Sequence, residues 1–100
     1  MTELPLDKPT VVFFKGQGCA TCSLLLPIFQ KVIKAYQPKI IAQFVDISKD
    51  APYAISYGVL SVPTLIFFKN GKEVNRLTGL VSEDKIIKAL ASLETINSPN

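Results

Sequence analysis

Apolar positions along this chain alternate between short β-branched or aromatic runs and longer stretches at helical spacing. Thr10-Val11-Val12-Phe13-Phe14 is continuous and without alternation, the pattern of a strand buried on both faces and central in its sheet. Gly16-Gln17-Gly18 closes it with a flexible loop. From Cys22 to Tyr36 the spacing turns helical, with Leu25, Phe29, Val32, Ile33 and Tyr36 on the face that packs on the sheet. Pro27 removes one amide donor there and crowds the carbonyl of Ser23, which predicts a bend with the helix continuing past it.

Ile40 to Ile47 reads as a second strand, followed by a short helix that Asp50 caps, that has Pro52 near its first turn, and that Gly58 stops after Tyr57. Thr64 to Lys69 is the next strand, and Asn70-Gly71 predicts a two-residue hairpin turn into Lys72 to Thr78. Val74 and Leu77 fall out of phase in that partner, which marks it as an edge strand with a bulge. Ser82 caps a last helix with Glu83 and Asp84 in its first turn and Ile86, Ile87, Leu90 and Leu93 on its buried face. Glu94 to Asn100 reads as a frayed tail. The order β-α-β-α-β-β-α predicts an α/β fold: a parallel βαβ unit, then an antiparallel hairpin, with helices covering a central mixed sheet.

The 100 residues, 48% hydrophobic and 19% charged, suit one domain over residues 1–100 with one modest core and a shallow surface site. The net charge of +3 is spread without any basic run, which gives a nucleic-acid role no support. Apolar stretches such as Leu24 to Phe29 and Val62 to Phe68 are too short to cross a bilayer, so no membrane partner is expected. Met1 to Pro9 carries Glu3 and Asp7 and does not read as a signal peptide, which points to the cytoplasm.

Two cysteines suit a reducing compartment, where a neighbouring pair is more often catalytic or metal-binding than structural. The chain has no histidine, so a four-ligand zinc site cannot close within one molecule and would have to be shared between two. Placed at random, two cysteines would stand three apart in only about one arrangement in fifty. Cys19 and Cys22 also sit where a central strand hands over to a helix, a setting that permits an intramolecular disulfide and favours the thiolate of the first cysteine. Cys19 is then the nucleophile, and Cys22 acts second, attacking Cys19 in a mixed disulfide to release the reduced partner.

Several landmarks together resemble the thioredoxin family over nearly the whole chain. They are Val11-Val12-Phe13-Phe14, Cys19-Ala20-Thr21-Cys22, Pro27, Val62-Pro63-Thr64, Phe68-Lys69-Asn70-Gly71-Lys72 and Gly79. The resemblance implies that Cys19 attacks, that Cys22 resolves, and that Pro63 is a cis proline beside the disulfide. A cis Val62-Pro63 bond would leave the Val62 backbone to pair with an extended substrate segment. Val62, Pro63 and Gly18 are thus the expected substrate-binding positions. The family also implies protein disulfides as substrates, a separate reductase as electron source, no cofactor beyond the redox-active disulfide, a monomer, and a place in electron transfer and cell redox homeostasis.

Three departures qualify the likeness. Gly18 stands where thioredoxins usually place tryptophan, and Ala20-Thr21 replaces the common Gly-Pro, so the partner-facing surface differs. Phe13 occupies the position of the family's buried aspartate, which leaves Cys22 without its proton acceptor. The residues ahead of Thr10 are too few for the family's usual N-terminal strand and helix, and Met1 to Pro9 would add a short edge segment at most.

Two other readings compete. Gly16-Gln17-Gly18-Cys19-Ala20-Thr21 half matches a dinucleotide loop, but its third glycine is Thr21 and only one βαβ unit is present. The stronger rival is a protein-binding module that keeps the fold as a scaffold with weak or no redox activity. The intact pair at a helix start favours a thiol–disulfide oxidoreductase that reduces disulfides in protein partners.

Overall fold

The computed structural model describes residues 8–96, and its elements follow the predicted order. Strand β1 spans Thr10–Lys15, helix α1 Ala20–Lys34, β2 Ile41–Asp46, α2 Ala51–Ser56, β3 Thr64–Lys69, β4 Lys72–Thr78 and α3 Glu83–Ile96. The four strands form one sheet in the order β2-β1-β3-β4, with β1 parallel to β2 and antiparallel to β3. The Pro9 carbonyl lengthens the β1–β2 ladder by accepting from the Ile41 amide at 2.9 Å.

Because side chains alternate across a strand, the two inner strands feed two cores. Val11 and Phe13 of β1 and Leu65 and Phe67 of β3 face α1 and α3, where Leu25, Phe29, Val32, Ile33, Ile86, Ala89, Leu90 and Leu93 meet them. Val12, Phe14, Ile66 and Phe68 face the other way, onto Tyr53 and Ala54 of α2 and onto Val59. This two-sided burial is why both strands read as unbroken apolar runs.

The hairpin forms as predicted, since Asn70 and Gly71 both take positive φ, 55° and 78°. The bulge also appears: Phe67 pairs with Asn75 and Phe68 with Glu73, so Val74 is the extra residue.

Several expectations need correction. Helix α1 starts at Ala20, two residues before the apolar periodicity, because Cys19 caps it and its first turn needs no apolar marker. It ends at Lys34, and Tyr36 packs at the margin of the core from the following turn. Asp50 holds the cap position of α2 without a side-chain cap bond; its carbonyl accepts from Tyr53 and Ala54 instead. Ile87 is exposed, and Ala89 takes the buried place between Ile86 and Leu90. Glu94 to Ile96 continue α3 where a frayed tail was expected. Residues 97–100 of that tail, and residues 1–7 of the expected edge segment, lie outside the described residues. A second cis bond, Gln37-Pro38, follows α1 and carried no sequence signal.

Candidate active site

The end of the sheet where β1 leaves and β3 enters carries every expected site residue. Gly18 turns the chain with φ of 68°, a left-handed conformation that glycine adopts without steric cost. Cys19 follows as the N-cap of α1 with extended backbone, φ −92° and ψ 100°. Its Sγ atom accepts the backbone N–H of Cys22 at 3.1 Å, doing with sulfur what a serine or aspartate oxygen does at most helix starts.

Cys19 and Cys22 are joined by a disulfide with Cα atoms 5.2 Å apart, within the ordinary span of such a bond. Thr21 lies between them with its Oγ1 atom 3.5 Å from the Cys19 sulfur. A disulfide sulfur carries no hydrogen, so the hydroxyl is the donor. Cys19 is partly exposed, whereas Cys22 is buried at 6%. This asymmetry fits a first cysteine open to partners and a second screened from them.

The opposite wall is the segment before β3. The Val62-Pro63 peptide is cis. The Val62 side chain lies against the motif loop, so closely that a methyl on Gly16 would come within 3.3 Å of its Cγ2 atom. No backbone hydrogen bond engages Val62 among the described residues. Around it the chain is pinned: the Gly79 amide donates to the Pro63 carbonyl at 2.8 Å, and the Thr64 hydroxyl to the Ser61 carbonyl at 2.8 Å. The Arg76 guanidinium, clamped by Glu73, reaches the carbonyls of Tyr57 at 2.6 Å and Gly58 at 3.2 Å. That pairing holds the Glu73 carboxyl below its ordinary range. Leu60 and Leu80 project from these loops into solvent, Leu60 at 96% exposure.

Beside the disulfide opens a cleft of about 450 Å³, lined by Phe13, Lys15, Gly16, Gly18, Ser23 and Leu26 together with both cysteines and Ala20. Phe13 is fully buried, with its ring 5.4 Å from that of Phe29 and 5.8 Å from that of Phe44. Among the described residues no carboxylate lines the cleft. Lys15 drew no attention in the sequence, and Thr21 drew it only as a departure from the family's Gly-Pro and from a dinucleotide loop, not as a hydroxyl beside the Cys19 sulfur. Thr21 was legible as a polar side chain inside the motif. Lys15 was legible as a cation where an apolar strand meets the motif loop.

Among the described residues no three histidine, cysteine, aspartate or glutamate side chains are grouped to hold a metal. None of the described helices is long and apolar enough to cross a membrane.

A mixed four-stranded sheet with helices on both faces, and a ring-closing cysteine pair capping the helix after a central strand, defines an α/β dithiol–disulfide domain. The chain belongs to the thioredoxin family, whose model matches residues 2–92. It is 34% identical over 87 residues to the mitochondrial thioredoxin of Bos taurus, covering 87% of this chain and 52% of that protein. It is 37% identical over 81 residues to a thioredoxin of Chlamydia trachomatis, covering 81% and 78%. A thioredoxin of Alicyclobacillus acidocaldarius is 28% identical over 87 residues, covering 87% and 83%. The chain thus spans about half the length of the mammalian relatives it matches.

Proposed function

We propose that this chain is a thiol–disulfide oxidoreductase, acting as one domain, that reduces disulfides in protein partners and is itself recharged by a separate reductase. The observation that carries the reading is the Cys22 amide aimed at the Cys19 sulfur at 3.1 Å. In the reduced form that amide, the Thr21 hydroxyl and the positive end of α1 all favour a thiolate at Cys19.

The cycle has two exchanges. The Cys19 thiolate attacks one sulfur of a partner disulfide, forming a mixed disulfide and expelling the partner's other sulfur as thiolate. Cys22 then gives its proton to a base and attacks Cys19, forming the Cys19–Cys22 bond and releasing the second partner thiolate. The partner gains two electrons and the chain loses two. Gly18, Val62 and Pro63 form the rim against which the partner segment lies; an extended segment pairs with the free backbone of Val62 by strand addition. Exposed Leu60 and Leu80 add apolar area beside that path. No cofactor is required. The chain works as a monomer in the reducing cytoplasm, a setting supported by the engagement of both its cysteines in one redox pair.

The test is reduction of insulin by the purified chain with Cys19→Ser and Cys22→Ser beside it. Loss of turnover in both variants, with a trapped mixed disulfide in Cys22→Ser alone, supports the reading. Turnover in Cys19→Ser would reverse the assigned roles, and no reaction by the unaltered protein would leave the domain a binding module.

A further inference from the structure

The cleft beside the disulfide is about 450 Å³, within the range of small-molecule sites, and Gly16 and Gly18 are among its lining residues. A Cβ on Gly18 would have no atom within 4 Å. Lys15, the last residue of β1, is exposed and is the cleft's single charged lining residue among the described residues.

Among the described residues Lys15 makes no ion pair. Its ladder partner on β2 is an acid, Asp46. The Asp46 carboxylate is taken up by the Ser48 hydroxyl and by the Ser48 amide at 2.9 Å, and Lys15 is the smallest influence acting on it. Among the described residues, a cation with no ion-pair partner thus lines an open cleft that the Cys19–Cys22 disulfide also lines.

Resting on the oxidoreductase reading above, we propose that this cleft receives a small disulfide bearing carboxylates, with Lys15 facing a carboxylate and Cys19 facing a sulfur. The chain would then reduce low-molecular-weight anionic disulfides as well as protein ones. The Cys19 thiolate bonds to one sulfur of the small disulfide and expels the other half as thiolate. Cys22, losing its proton to solvent, bonds to Cys19 and expels the second half. One small disulfide and the protein dithiol become two small thiols and the protein disulfide, with two electrons and two protons passed on. Lys15 is a specificity-determining residue here, since it takes no part in the bond changes.

The experiment measures single-turnover oxidation of the reduced chain by oxidised glutathione, which is net anionic, and by cystamine, which is dicationic, at roughly 0.1 M salt. At that strength charges beyond about 10 Å are largely screened. The ratio of the two rates cancels any change in thiol reactivity. Lys15→Glu should lower the anionic-to-cationic ratio about tenfold, the effect of reversing one charge close to both ligands in a solvated cleft. Lys72→Glu, an equal charge change at the opposite end of the sheet, should move it less than twofold. If Lys15→Glu moves the ratio no more than Lys72→Glu while insulin is still reduced, this inference fails and the protein-disulfide function stands. If the unaltered chain is oxidised by neither disulfide and does not reduce insulin, the functional reading itself fails.

Discussion

The sulfur of Cys19 accepts the amide proton of Cys22 at 3.1 Å, so the atom proposed to attack and the residue proposed to resolve it are bound within one helical turn. Under the proposed function the same amide is a donor to the Cys19 thiolate of the reduced form. Nothing comparable serves the Cys22 proton among the described residues, because the cleft that Cys22 lines is shared with the fully buried Phe13 and with no carboxylate.

Resolution of the mixed disulfide is therefore expected to draw its base from solvent. At fixed pH and ionic strength, the rate of partner release should rise severalfold and linearly with the free-base concentration of an imidazole buffer. Rapid-mixing measurements on a preformed Cys19 mixed disulfide check this. A rate indifferent to buffer concentration would mean that an internal base exists after all.

Gly18 precedes Cys19 with φ of 68°. Open space surrounds it, so the cost of a side chain there is conformational and not steric crowding by neighbours. Gly18→Ala should destabilise the fold by about 1–2 kcal/mol, and Gly18→Asn by less, since asparagine tolerates the left-handed region. Urea denaturation of the two variants gives the comparison. Equal costs would show that the loop relaxes out of this conformation.

Among the described residues the buried Tyr53 hydroxyl has no hydrogen-bond partner in proper geometry. Burial, and then the neighbouring Tyr57, push its phenol up to about 12. The folded value stands above that of a free phenol, so folding favours the protonated form. This contribution is whole below the ordinary phenol range and is lost as pH rises through about 12. Tyr53→Phe should remove part of that alkaline sensitivity and stabilise the protein by up to about 1 kcal/mol, because an unpaired buried hydroxyl disappears. Thermal melts across alkaline pH, with phenolate absorbance followed in parallel, test both effects. A variant less stable than the parent would reveal a hidden partner for the hydroxyl.

The parts of the fold legible in the sequence were those where one physical requirement dominates. Val11 to Phe14 and Leu65 to Phe68 are apolar at every position because each strand is covered on both faces. Asn70-Gly71 stands out because both turn residues need positive φ, and Val74 broke the strand phase because it is the bulge residue. The Cys19–Cys22 pair was legible from spacing and from its place at a strand–helix junction. The start of α1 was not, since the first turn presents Ala20 and Thr21 and nothing apolar. Ile87 misled for a related reason: adjacent isoleucines both fit helical periodicity, and only the position of α1 decides that Ile86 is covered and Ile87 is not. Lys15 looked like a strand-end lysine because the cleft it lines is made by two glycines and a helix start that come together only in three dimensions.

The central claim, that Cys19 and Cys22 form a reversible two-electron couple, is tested most directly by equilibrating the purified protein against graded dithiol–disulfide buffers and counting free thiols at each potential. The account predicts one transition in which both thiols appear together. It would be contradicted if the cysteines titrated independently, or if no Cys19–Cys22 disulfide formed at any accessible potential.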